Sequence, residues 1–180
     1  EVAELVALVR QHGLTVRHIL LTHAHIDHSG YLPLLVKNGF RGRVYCTEGT
    51  RDLCEVMLPD AGRLQEEEAE YANRHGFSKH KPALPLYTES DAKRALRQLA
   101  PVAFGRTLEI SGMVLSFFPG GHISGAAIAV IDHAGRRIVF SGDLGRSNDV
   151  LLMPPARIAK ADYLVVESTY GNRVHQQSDS

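Results

Sequence analysis

Val2, Leu5, Val6 and Val9 recur at three- and four-residue intervals, one face of a helix that Gly13 stops. His18-Ile19-Leu20-Leu21-Thr22 then has the short apolar character of a buried strand, and Tyr31-Leu32-Pro33-Leu34-Leu35-Val36 returns to a helical pattern. Gly39 ends that helix, and Arg43-Val44-Tyr45-Cys46 reads as the next strand. From Thr50 to His75 the pattern is helical with an interruption at Pro59, and Glu66-Glu67-Glu68 forms a solvated face. Gly76 to Leu86, with Lys79, His80, Lys81, Pro82 and Pro85, reads as an exposed loop. Thr88-Glu89-Ser90-Asp91 has the form of a capping box, opening a helix that carries Ala92, Ala95, Leu96 and Leu99 and stops at Pro101.

Beyond Pro101 the pattern turns to strands. Thr107 to Ile110, Met113 to Phe118, Ala126 to Ile131 and Arg137 to Phe140 are β-rich runs, with His133-Ala134-Gly135 as a hairpin turn. Asp162-Tyr163-Leu164-Val165-Val166-Glu167 is a continuous apolar run closed by a carboxylate, which predicts a central strand delivering a side chain at its end.

The 180 residues suffice for one domain with a substantial core. Lys+Arg and Asp+Glu both number 20, so the charge balance shows no general nucleic-acid footprint and any basic groove is local. Cys46 and Cys54 match neither a metal-binding pair nor a disulfide framework, and read as the buried thiols of a cytoplasmic protein. No apolar run approaches the ~20 residues of a membrane span. A start without Met inside a helical pattern, and the polar end Gln176-Gln177-Ser178-Asp179-Ser180, lead us to expect a fragment cut at both ends.

The chemistry concentrates between the first strand and the following helix. Thr22-His23-Ala24-His25-Ile26-Asp27-His28-Ser29-Gly30 places His23, His25, Asp27 and His28 within six positions. This is not the spacing of a helical His-Glu-x-x-His site. In an extended turn, His23 and His25 can point one way and Asp27 and His28 another, which suggests two adjacent metal ions. A dinuclear zinc site needs about six or seven N and O ligands in all, so others must come from elsewhere. His122, in Pro119-Gly120-Gly121-His122-Ile123-Ser124-Gly125, and Asp143, in Phe140-Ser141-Gly142-Asp143-Leu144-Gly145, both follow strands and sit among glycines.

His23-x-His25-x-Asp27-His28, Gly121-His122 and Ser141-Gly142-Asp143 resemble, in order, the second, third and fourth motifs of the metallo-β-lactamase fold. Glu167-Ser168-Thr169-Tyr170-Gly171-Asn172-Arg173 resembles motif A of its β-CASP branch, the RNA- and DNA-processing nucleases. Tyr87 to Ala92 and Ala161 to Val166 are similar to the messenger RNA 3′-end cleavage factor and its bacterial and archaeal relatives. The resemblance implies an α/β fold, part of a metallo-β-lactamase αββα sandwich truncated at both ends. Residues 1–172 would form the central part of that domain and 173–180 the start of a connector into a β-CASP domain. His175 follows motif A too closely to be one of that domain's histidines.

The resemblance also implies roles. His23, His25 and His122 would hold one zinc, and Asp27, His28 and Asp143 the other, with Asp143 bridging. A hydroxide shared by the two ions would cleave RNA phosphodiester bonds, with Asp27 orienting the attacking water. Glu167 would orient the family's general-acid histidine; with that histidine, one zinc ligand and the outer strands outside this sequence, the isolated chain should bind metal weakly and cleave little. RNA is the implied substrate, with DNA as a second possibility and no membrane partner. The alternatives are a metallo-β-lactamase-fold hydrolase of small esters or thioesters, which the motif A segment argues against, and a non-catalytic nuclease-like scaffold subunit.

Overall fold

A computed structural model describes residues 8, 9, 11–169, 171 and 172. The helix expected from Val2 to Val9 lies outside these residues except for Leu8 and Val9, which are helical; residues 173–180 also lie outside.

The strands form two sheets. β1 (His18–Leu20), β2 (Arg43–Cys46) and β3 (Leu99–Pro101) are parallel neighbours, with Ile19 opposite Val44 and Val44 opposite Leu99. β4 (Thr107–Ile110), β5 (Met113–Pro119), β6 (Ala127–His133) and β7 (Arg136–Phe140) run as an antiparallel meander, and β8 (Tyr163–Val165) adds in parallel beside β7. The turn between β6 and β7 uses Ala134 and Gly135, both at positive φ as a tight two-residue hairpin requires.

Side-chain alternation makes the layers. On β6, Ala127, Ala129 and Ile131 join Phe117, Leu115 and Ile110 in a core that also takes Leu20 and Tyr45 from the first sheet. Ile128 and Val130 point the other way, toward Val139, Phe118 and Ile158. The far face of the first sheet is covered by helices. α1 (Ile26–Ser29), α2 (Leu32–Lys37), α3 (Glu48–His75) and α4 (Glu89–Leu96) enclose a second core containing Leu32, Val36, Val44, Cys54, Leu58, Ala92 and Ala95. The layers are thus helix, sheet and sheet. Cys46 and Cys54 are buried free thiols, and burial pushes them up to about 12 and about 11. No described helix is long and apolar enough to cross a membrane.

Four expectations need correction. α3 is continuous over 28 residues and carries Pro59 inside it. The carbonyl that Pro59 leaves unpaired belongs to Glu55, on the exposed side, where solvent can satisfy it. Its inner stripe of Thr50, Cys54, Leu58 and Gly62 is uninterrupted, and an added Cβ on Gly62 would lie 2.7 Å from Glu89 N, so glycine lets α4 approach. The capping box of Thr88 and Asp91 is present, but α4 stops at Leu96. Leu99 continues the helical spacing in sequence, yet it is buried in β3 opposite Val44, because a strand pairing outweighs another half turn. β8 is an edge strand with all three residues more than half exposed among the described residues, whereas a central buried strand was expected. An apolar run reports affinity for burial, and only a packed neighbour delivers it. Finally, the histidine loop is not extended throughout: Asp27 and His28 lie in the single turn of α1.

Candidate metal centre

Three chain turns converge at the ends of the strands. After β1 the chain is anchored at Leu21, whose N–H donates to Tyr45 O (2.9 Å), and at Thr22, whose carbonyl accepts from Ala127 N (2.9 Å) across the two sheets. His23 follows, fully buried. His25 is the N-cap of α1 but makes no side-chain cap bond, so its imidazole stays available for the site. Buried Ser29 ties the turn down, its hydroxyl donating to Ala24 O (2.7 Å) and its N–H to His25 O (2.8 Å). The single helical turn thereby aims His28 back at His23, with ring centroids 4.1 Å apart.

The second turn, residues 120–126, carries His122 and is closed by Gly120 N donating to Ala126 O (2.8 Å). Gly121 and Gly125 both have positive φ, a conformation that favours glycine. The third turn follows β7. Ser141 N donates to Val165 O (2.9 Å), Glu167 N to Ser141 Oγ (3.1 Å) and Leu144 N to Glu167 Oε1 (2.6 Å). Gly145 N then donates to Gly120 O (2.8 Å), tying the turn of Asp143 to that of His122.

These turns bring His23, His25, His122 and Asp143 together, with one ligand atom from each lying within 4.8 Å of the others. His122 Nε2 is 3.1 Å from His25 Nδ1, and Asp143 Oδ2 is 3.6 Å from His122 Nε2 and 3.7 Å from His23 Nε2. The other oxygen, Oδ1, faces His28 Nε2 at 3.3 Å, and Asp27 Oδ2 approaches the same nitrogen at 3.6 Å. One carboxylate therefore stands between two donor sets. Asp27 is the most exposed member, on the solvent side of His28. Glu167 is not part of this cluster; it holds the Asp143 turn through Leu144 N.

The donor set suits a metal ion. His23 Nε2 is buried without a hydrogen-bond partner, a cost that structures rarely leave uncompensated. Four ligands at ~2.0–2.1 Å in a tetrahedron lie about 3.3–3.4 Å apart, close to the 3.1, 3.6 and 3.7 Å found between three pairs of these atoms. Burial, reinforced by His28 nearby, lowers the His23 imidazole from 6.5 to about 4, against the opposing pull of Asp143, and so keeps it in the neutral form that a metal requires.

That shift has a consequence for the metal-free protein. Between pH 6.5 and about 4 the unfolded chain binds a proton at His23 that the folded chain does not. Stability therefore falls as pH drops through this window, by on the order of 3 kcal/mol. Urea unfolding of the metal-free protein at pH 7 and pH 4.5 measures the loss, which shrinks in His23→Gln.

Residues 1–175 match the family model described as Metallo-beta-lactamase superfamily. The chain belongs to that superfamily. Within the family its sequence is similar to ribonuclease TTHA0252 of Thermus thermophilus, 37% identical over 88% of this chain and 33% of that protein. It is also similar to endoribonuclease YSH1 of Gibberella zeae, 34% identical over 89% of this chain and 18% of that protein. Cleavage and polyadenylation specificity factor 73 of Drosophila melanogaster is 31% identical over 89% of this chain and 22% of its own length. The chain thus spans a third or less of the length of these relatives.

Membership gives the cluster its setting: a divalent-metal centre at the strand ends of a metallo-beta-lactamase fold. The glycine contacts and hydroxyl bonds that lock the three turns together escaped sequence reading. The signal for one of them is Thr47-Glu48-Gly49-Thr50, whose threonines flank a glycine just where a helix begins.

Proposed function

We propose that this chain carries the metal centre of a zinc-dependent phosphodiesterase of the β-CASP type that cuts RNA internally. The observation that carries the reading is Asp143, whose two oxygens face separate imidazole groups. The similarity to proteins named ribonucleases and endoribonucleases supports RNA as the substrate. His23, His25 and His122 with Asp143 Oδ2 would hold one ion, and Asp27 and His28 with Asp143 Oδ1 the other. Neutral imidazoles and carboxylates suit zinc. Two such ions would supply an activated water as the nucleophile and take up charge on the phosphoryl oxygens.

The remaining work falls to the protein. Asp27, the most exposed of these side chains, would orient the attacking water. Glu167 steadies the Asp143 turn through Oε1, and its other oxygen is left to orient a general-acid histidine supplied by the rest of the protein. DNA remains a second substrate to assay, and the free thiols fit a cytoplasmic setting.

The test is RNA cleavage by the full-length protein with its metal content measured in parallel. His25→Ala and Asp27→Ala are each expected to lower the cleavage rate by about a hundredfold or more. Unchanged cleavage in both variants would remove the site assignment.

A further inference from the structure

We infer that Thr47 and Thr50 are positioning residues for His122, acting through the carbonyl of Gly125. This rests on the reading of His122 as a metal ligand. Thr47 directly follows β2 and caps α3, and Thr50 lies in the first turn of that helix. Both are buried, at 2% and 0% exposure. Their hydroxyls converge on one acceptor: Thr47 Oγ1 donates to Gly125 O at 2.6 Å and Thr50 Oγ1 at 3.0 Å. The two hydroxyl oxygens also lie 3.0 Å from each other, so two protons are shared among three oxygens, and the carbonyl is held by side chains 75 and 78 residues away in sequence. Thr47 Oγ1 in turn accepts from Thr50 N (3.2 Å), which completes the account of the helix cap.

The backbone fit is equally close. An added Cβ at Gly125 would lie 2.2 Å from Thr50 N and 2.6 Å from Thr47 Oγ1, and one at Gly49 would lie 2.9 Å from Gly125 N. Gly125 also has φ +78°, so glycine is required there twice over. Gly125 and Ala126 close the turn that begins at Gly120, and His122 is in its middle. The helix cap therefore sets the height of the His122 ring above the histidine loop. The clasp joins the first sheet's helical layer to the second sheet beside the ligands, without touching any ligand atom.

Thr50→Val is the cleaner probe, since it removes one hydroxyl and leaves the Thr47 cap. Thr50→Ser keeps the hydroxyl. In the metal-free full-length protein, Thr50→Val is expected to speed hydrogen exchange of the Gly120 and Ala126 amides about 5- to 10-fold, the weight of one buried hydrogen bond. Cobalt(II), titrated by its visible absorption, should bind Thr50→Val weaker by about the same factor, with Thr50→Ser restoring both. In a His122→Ala background Thr50→Val should leave cobalt affinity unchanged, because the hydroxyl acts through that histidine. Unchanged exchange over 120–126 overturns the clasp. An equal loss of cobalt affinity with and without His122 assigns Thr50 a general structural role and overturns the positioning claim. A wild-type protein that takes up no cobalt overturns the metal-centre reading, and exchange then still reports separately on the clasp.

Discussion

Asp143→Asn is expected to empty both halves of the metal centre at once and to stop RNA cleavage. The substitution keeps the shape of the side chain and removes its charge. Because Oδ2 lies toward His23 and His122 while Oδ1 lies toward His28, one change weakens two donor sets. Removing groups that merely orient a ligand costs ~10–100-fold in metal affinity, so loss of the shared carboxylate should exceed about a hundredfold at both ions. His28→Ala provides the contrast, since it reaches only the set containing Asp27 and should leave the ion at His23, His25 and His122. Zinc content after gel filtration distinguishes the outcomes. Equal depletion in the two variants would show that Asp143 does not stand between separate ions.

Gly145→Ala is expected to part the turns of His122 and Asp143. A Cβ at this position would lie 1.6 Å from Gly121 O, 2.0 Å from Gly121 C and 2.7 Å from His122 N. All three are backbone atoms, so no side-chain rotation can relieve the overlap, and Gly145 N must give up its bond to Gly120 O. Overpacking of this kind costs typically 1–3 kcal/mol, and a backbone collision sits at about the upper end. The larger effect should be on metal binding, because the movement separates two ligands directly. Gly135→Ala is the control. Its φ of +74° imposes strain of ~1–2 kcal/mol, but an added Cβ meets nothing within 4 Å. Thermal unfolding with metal titration should show stability lost in both variants and metal lost only in Gly145→Ala.

The residues of the candidate site stood out in the sequence because they break every packing rule available to a short stretch. His23, His25, Asp27 and His28 crowd polar groups against a buried strand, and His122 and Asp143 follow strands directly among glycines. The strands from β4 to β7 were legible for the opposite reason, since alternation on a meander records burial residue by residue. What escaped depended on partners. Leu99 satisfies a helical period and a strand pairing equally well, and only Val44 beside it decides. Pro59 looked like a break because its cost depends on which side of the helix the orphaned carbonyl faces. α1 is a single turn, too short for any periodic signal. The clasp of Thr47 and Thr50 on Gly125, and the approach of Gly145 to Gly121, join distant parts of the chain, so spacing could not reveal them.

The most direct measurement is an anomalous difference map at the zinc edge from crystals of the full-length protein. Two peaks flanking the Asp143 carboxylate are expected, one beside His23, His25 and His122 and the other beside Asp27 and His28. A map with no peak within coordination distance of Asp143 would contradict the account.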